Sequence, residues 1–158
     1  MRAETVPIRS IERENLNLSS VFQYFIGNTD FSPRAAAPDE RCCHNQTVIV
    51  REDAPNHTVP YDFDQAGLVG APHAKPNPRF RLSSVRQRLY RGRCMNNDLL
   101  PETLEFFRQR REAIESLISN EPHLDTKKRA RMLAFIGDFY ETIDNPRRVT
   151  KKFVKACI

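Results

Sequence analysis

The stretch LNLSSVFQYFIGNTDFS, from Leu16 to Ser32, joins an apolar segment to a polar one. Over residues 10–26, the later apolar residues have the i, i+3, i+4 spacing of a helix, namely Leu18, Val21, Phe22, Phe25 and Ile26. Gly27 is a typical helix stop, because glycine adopts the left-handed conformation that ends many helices. The stretch therefore predicts a helix over residues 10–26 that is followed at once by the polar segment GNTDFS.

Two short runs further along the chain have the composition of β-strands. TVIVR covers residues 47–51, HTVPYDF covers residues 57–63, and the turn-forming segment EDAPN separates them. Pro60 argues for an edge or strand-end position, since proline donates no backbone hydrogen bond. The pair predicts a β-hairpin that carries Asp62 and Asp64 at its exit.

The rest of the chain favours helices. Residues 65–80 contain glycine and proline clusters and predict a long ordered loop. Helices are predicted over residues 83–92, 101–120, 125–143 and 146–157. Asp98, Asp125 and Asn145 are the candidate N-caps of the last three. The predicted fold class is α+β, mainly α: one helical domain over residues 1–158 with a single small β-hairpin.

Charge is unevenly distributed along the 158 residues. Residues 1–75 contain 7 Lys and Arg against 10 Asp and Glu, whereas residues 76–158 contain 18 against 10. This basic second half permits an anionic partner. The four cysteines, an adjacent pair and two single residues, show no recognisable disulfide framework. With no apolar signal segment and no membrane-spanning window, we expect a cytoplasmic protein with no membrane contact.

Three polar stretches follow or precede the predicted elements: GNTDFS at 27–32, CCHN at 42–45 and YDFD at 61–64. If the hairpin forms, Asn45 lies at the same end as Asp62 and Asp64, and Asp30 can join them through the intervening loop. Carboxylate and amide oxygens are ligands that Mg²⁺ accepts, while water and phosphate fill its other positions. A separate aspartate can take a proton from an attacking hydroxyl.

The order helix, NTDFS, loop, HN, hairpin, YDFD resembles the catalytic half of the atypical kinases, with the spore-coat CotH-like and HipA-like kinases nearest in style. GNTDFS, CCHN, PYDFDQAGLVGAP and SVRQRLYRG resemble more closely a family of longer, uncharacterised bacterial proteins. The resemblance covers residues 18–157 and implies a domain like a kinase C-lobe.

By this resemblance Asp30 is the catalytic base, and Asn45 and Asp62 bind Mg²⁺, with Asp64 as the alternative or additional ligand. ATP is the implied phosphoryl donor. Two features depart from the pattern. The segment between Asp30 and Asn45 is longer than a typical kinase catalytic loop. Neither a glycine-rich loop nor a lysine precedes Asp30, so an N-terminal lobe is missing, and we expect little turnover from this chain alone.

The basic run at residues 86–93 leaves three interpretations open. Its arginines pair with acids of neighbouring elements, or Arg86 and Arg88 reach Asp62 and Asp64 and help to bind the nucleotide. In the third, Tyr90 stacks on a nucleic-acid base while the arginines contact phosphates.

His44 is most simply a hydrogen-bonded imidazole that fixes its loop. The rival to an enzyme is a non-catalytic module that binds an anionic protein or RNA through the basic second half.

Overall fold

The computed structural model describes residues 5–36 and 42–158. Within them lie the helices α1 (Arg13–Ile26), α2 (Leu100–Gln109), α3 (Arg111–Ser119), α4 (Thr126–Ile143) and α5 (Pro146–Val149), and the strands β1 (Gln46–Ile49) and β2 (His57–Pro60). The α+β, mainly α prediction is confirmed. Residues 37–41, in the long segment between Asp30 and Asn45, lie outside the described residues.

Helix α1 ends as the sequence predicts. Gly27 adopts the left-handed conformation, with φ +67°, and its N–H closes the last turn on Gln23 and Tyr24. A side chain here would collide with the ring of Phe135, since an added Cβ would lie 2.7 Å from its Cζ. The helix begins three residues later than predicted, because Ile11 is extended and pairs with Asn56 beside the hairpin.

The predicted hairpin is also present, although its strands are shorter. β1 and β2 are antiparallel, with Gln46 opposite Pro60 and Ile49 opposite His57. The Thr58 N–H donates a hydrogen bond of 2.7 Å to Asn15 Oδ1 on α1. Gln46 and Thr58 are buried and bonded to each other. These contacts fix the hairpin against the first half of α1.

Two helix predictions are corrected. Residues 83–92 form turns and extended chain, because their side chains bind other parts of the molecule, as described below. The predicted 101–120 helix is broken at Arg110, whose N–H bonds to Phe107 O while its side chain takes the Phe106 carbonyl. Asp98 does not cap α2; it pairs with Arg13 on α1 instead.

The last two caps are confirmed. Asp125 Oδ1 accepts a 2.8 Å hydrogen bond from the Lys128 N–H at the start of α4. Asn145 caps α5 by accepting from the N–H groups of Arg147 and Arg148, with Pro146 in the first turn. The chain continues from α5 into a π-helical turn, Thr150–Val154.

An aromatic cluster lies between α1 and the C-terminal helices. The Phe25 and Phe139 ring centroids lie 4.9 Å apart, and those of Tyr24 and Phe153 lie 4.6 Å apart. Both Phe139 and Phe153 are fully buried, as their helical spacing predicts. Phe106 departs from that prediction, with 39% of its surface exposed. Among residues 5–36 and 42–158, no helix combines the length and apolar character needed to cross a bilayer.

The structure contains a covalent link that the cysteine pattern did not predict. Cys94, at the start of the 3₁₀ turn before α2, is bonded to Cys157 near the C-terminus, with Cα atoms 5.0 Å apart. The backbone supports the same pairing, because the Cys94 N–H donates to Ile158 O and the Ile158 N–H donates to Gly92 O. Cys42 and Cys43 are bonded to each other.

Loss of the Cys94–Cys157 bond should destabilise the fold. The bond closes a loop with a sequence separation of 63 residues. Restricting a chain of that length in the unfolded state corresponds to about 4 kcal/mol. We expect Cys94→Ser with Cys157→Ser to lower the free energy of unfolding, measured by urea denaturation, by an amount of that order.

The same double variant provides the control, since reductant should lower the urea midpoint of the natural chain but change that of the variant much less. Equal midpoints for the natural chain with and without reductant would contradict the pairing.

Candidate active site

The carbonyls of Phe25, Ile26 and Gly27, at the end of α1, are bound by distant residues. A helix leaves its last carbonyls without partners in the helix. Here the Leu68 N–H donates to Ile26 O at 2.9 Å, and the Gly67 N–H donates to Gly27 O at 3.1 Å. Gly67 has no room for a side chain, because an added Cβ would lie 2.9 Å from Arg86 Cα. The AGLVG turn is thus locked onto the end of α1.

Arg88 binds the remaining carbonyl and joins α1 to α4. Its guanidinium donates to Phe25 O at 3.1 Å and to Phe135 O at 2.6 Å. The same group stacks 3.7 Å from the centroid of the Phe135 ring. A planar guanidinium offers several donors in a fixed arrangement, so one side chain can hold two backbone segments together.

Arg91, three residues further along the chain, also binds two backbone carbonyls. It donates to Thr29 O at 2.9 Å and to Phe31 O at 2.6 Å, on either side of Asp30. Its guanidinium also lies 4.6 Å from the ring centroids of Phe31 and Phe80. We call Arg88 and Arg91 the arginine brace. Burial lowers the pKa of each to about 10, so both remain charged at neutral pH.

The brace and a local turn together fix Asp30. The Asp30 N–H donates to Asn28 Oδ1 at 2.9 Å. Its carboxylate lies against CCHN: His44 Nε2 is 3.1 Å from Oδ1, and Asn45 Nδ2 is 3.2 Å from Oδ2. The Asn45 amide also donates to Asp30 O at 2.8 Å. The expected convergence of Asp30 and Asn45 is therefore present.

The hairpin adds the other two acids. Tyr61 N–H donates to Asn45 O at 3.1 Å, which places YDFD beside CCHN. Phe63 packs edge-on against Phe22 of α1, while the flanking Asp62 and Asp64 are exposed. A cavity of about 580 Å³ is lined by Asp30, His44, Asn45, Tyr61, Asp62, Asp64 and Gln65. We call it the acidic pocket.

Two of its residues have left-handed backbone conformations. Asn45 has φ +51° and Asp62 has φ +54°. Asn and Asp tolerate this region better than other side-chain-bearing residues, and such conformations are concentrated at functional sites. Asp62 also begins a local turn, since its Oδ1 accepts from the Asp64 N–H at 3.4 Å. The residue types in HN and YDFD thus suit the backbone as well as the pocket.

Asp64 has its own partner outside the predicted motif. His73 Nε2 lies 2.8 Å from Asp64 Oδ2, and Gln65 Nε2 donates to the same oxygen at 3.2 Å. The hydrogen bond from His73 is the main cause that lowers the pKa of Asp64 below its usual value. Asp64 therefore stays ionised in more acidic solution than an isolated aspartate does.

Arg86 and Arg88 do not lie where the sequence interpretation placed them. Arg86 donates to Gly67 O at 3.3 Å and to Arg131 O at 3.3 Å. Arg88 is part of the brace, and neither residue lines the acidic pocket. Their expected reach to Asp62 and Asp64 is corrected: tertiary packing uses both guanidinium groups on backbone carbonyls. Tyr90 is 1% exposed and cannot stack on a nucleic-acid base.

The sequence reasoning missed two residues near the site. The sequence places Arg91 only in a basic run and gives His73 no role. The alternation of Arg86, Arg88 and Tyr90 does not identify Arg91, because Arg91 directly follows Tyr90. No local signal identifies His73, which lies nine positions after its partner Asp64 in the sequence.

The donor set limits what metal the acidic pocket could hold. Within the described part of the chain, no three His, Cys, Asp or Glu side chains form a metal-binding group. Any ion here would therefore use the Asn45 amide oxygen with Asp62, Asp64 and water. Such a set of oxygens with few protein ligands suits Mg²⁺ better than zinc. No family model, curated protein or solved structure matches this chain.

Removing His73 should raise the pKa of Asp64. We expect an NMR titration of the Asp64 side-chain carboxyl carbon to give a midpoint below 3.8, the usual value, in the natural chain. In His73→Gln the midpoint should move upward, because the main stabilisation of the ionised form is weakened. His123→Gln, which changes an exposed histidine on another turn, is the matched control. An unchanged Asp64 midpoint in His73→Gln would contradict the pairing.

Proposed function

We propose that this chain is the kinase-C-lobe-like part of a Mg²⁺-dependent phosphotransferase. One observation supports the proposal: four polar residues from three separate segments line one pocket, namely Asp30, Asn45, Asp62 and Asp64. Catalysis of phosphoryl transfer consists largely of positioning and charge stabilisation, and such a group of residues can do both.

Asp30 is the proposed base. Its carboxylate is held by His44 and Asn45 and is 33% exposed, so a substrate hydroxyl can still reach it. A carboxylate has about four acceptor positions, and two remain beyond those two partners. In the proposed reaction the hydroxyl oxygen bonds to the γ-phosphorus of ATP. The bond to ADP breaks, and the hydroxyl proton passes to Asp30.

Asn45, Asp62 and Asp64 are the proposed Mg²⁺ ligands. The Asn45 nitrogen is used on Asp30, and among the described residues no donor binds its oxygen, which leaves that oxygen for the pocket. Bound Mg²⁺ would neutralise charge on the donor phosphates. The exposed carboxylates of Asp62 and Asp64 supply the negative charge that attracts it, and the hydrogen bond from His73 lowers the pKa of Asp64.

The proposed partners are a nucleotide and an N-terminal lobe that covers its phosphates. The residues of this chain supply the proposed metal ligands and the proposed base. We therefore propose that turnover is low without that lobe. The cytoplasmic location is also a proposal. The Cys94–Cys157 disulfide argues against this location, because disulfides are typical of oxidising compartments.

The metal site can be tested on this chain without an upstream lobe. We expect isothermal titration calorimetry to detect Mg²⁺ binding, with ATP binding enhanced by Mg²⁺. Asp62→Asn should weaken Mg²⁺ binding at least about tenfold, because it removes a charged ligand.

Asp53→Asn is the matched control, since Asp53 is an exposed acid at the opposite end of the same hairpin and should leave Mg²⁺ binding unchanged. Absence of Mg²⁺ binding by the natural chain, or equal effects of the two variants, would contradict the proposed function.

The alternative proposal is a non-catalytic module for an anionic partner. Arg86, Arg88 and Arg91 are bonded to backbone carbonyls, so this function would instead use the exposed Lys151, Lys152 and Lys155 of the C-terminal turn. Under it, Asp62→Asn leaves binding of a polyanion such as heparin intact, while replacing these lysines weakens binding and its salt dependence.

A further inference from the structure

A second cavity lies on the other side of Asp30. It has a volume of about 540 Å³ and shares Asp30 and His44 with the acidic pocket. Its remaining lining residues are Thr29, Phe31, Ser32, Ala35, Ala36, Asn77, Arg79, Phe80 and Arg91. We call it the basic pocket. The Asp30–His44 pair is therefore the wall between two cavities of opposite character.

Positive charge is concentrated in the basic pocket. Arg79 and Arg91 line it, and among the described residues that line it Asp30 is the single carboxylate. Burial, together with the neighbouring charges of Arg93 and Arg79, lowers the pKa of Arg91, while the charge of Asp30 opposes this shift. A bound anion would relieve this repulsion between cations.

The uncharged groups of the basic pocket also favour an anion. Asn77 Oδ1 accepts from the Arg79 N–H, and Ser32 Oγ accepts from the N–H groups of Arg34 and Ala35. These bonds use the acceptor atoms, and within the described chain the Asn77 amide N–H and Ser32 hydroxyl donate to no protein group. Arg91 Nε is buried without a hydrogen-bond partner among the same residues.

We propose that the basic pocket binds the phosphoryl acceptor, a small hydroxyl-bearing molecule that also carries an oxyanion, either phosphate or carboxylate. The oxyanion binds Arg79, the Asn77 amide and the Ser32 hydroxyl, while the hydroxyl of the acceptor points to Asp30. This inference rests on the proposed function, for which it names the acceptor class. It explains why one carboxylate is placed in a pocket that is otherwise cationic: a simple anion avoids Asp30, whereas a hydroxyl donates to it.

The two pockets also separate the reactants by charge. The donor phosphates would enter from the acidic side with their metal, and the acceptor from the basic side. Asp30 lines both cavities, so a hydroxyl that binds to it lies at the boundary between them. Positioning of this kind is a major contribution to phosphoryl transfer.

Binding of inorganic phosphate without Mg²⁺ tests the inference. We expect saturable phosphate binding in the millimolar range. The binding is monitored through the shift of the Arg91 Nε–H signal in NMR spectra. Arg79→Gln should weaken binding about tenfold, because it removes one charged hydrogen-bond donor. Arg147→Gln, which removes another exposed arginine, from α5, should have no effect. Acetate in place of phosphate distinguishes a carboxylate acceptor from a phosphorylated one.

A further variant keeps this result separate from that of the metal site. Asp62→Asn should weaken Mg²⁺ binding and leave phosphate binding intact, because Asp62 does not line the basic pocket. If phosphate and acetate both fail to bind, or if Arg79→Gln and Arg147→Gln behave alike, the inference is overturned while the Mg²⁺ result stands. If phosphate binds as expected and Mg²⁺ does not, the anion site stands and the phosphotransferase proposal fails.

Discussion

The partly buried guanidinium groups of Arg88 and Arg91 hold the segment that leaves α1. They bind the carbonyls of Phe25, Thr29 and Phe31, which lie away from water. Buried carbonyls without a partner are costly, as are buried cations without acceptors, so each group satisfies the other. Because Arg88 also binds Phe135 on α4, the end of α1 is fixed relative to the C-terminal helices.

The position of Asp30 follows from this brace. Arg91 binds the chain on both sides of it, and the Asn28 side chain fixes its N–H. The carboxylate then meets His44 and Asn45, which enter with the first strand, and the second strand returns the chain to Asp62. The arginine brace thus determines which residues face the acidic and basic pockets.

The sequence predicted the elements that depend on local physics. The end of α1 at Gly27, the hairpin and the caps at Asp125 and Asn145 are set by neighbouring residues. The sequence-based predictions were wrong where contacts between distant residues determine the local structure. Residues 83–92 have a helix-like composition, but their arginines bind carbonyls on α1 and α4, and Asp98 pairs with Arg13 rather than capping α2. The convergence of Asp30, Asn45 and Asp62 was predictable from the order of elements, whereas the basic pocket was not.

A crystal structure of this chain grown with Mn²⁺, which replaces Mg²⁺ and scatters anomalously, would locate a metal bound beside Asp30. We expect one anomalous peak within bonding distance of the Asn45 side-chain oxygen and of a carboxylate of Asp62 or Asp64, with Asp30 still held by His44 and Arg91 still bound to Thr29 O. Asp30, Asn45 and Asp62 on separate surfaces, or a peak only at other acids, would contradict this expectation.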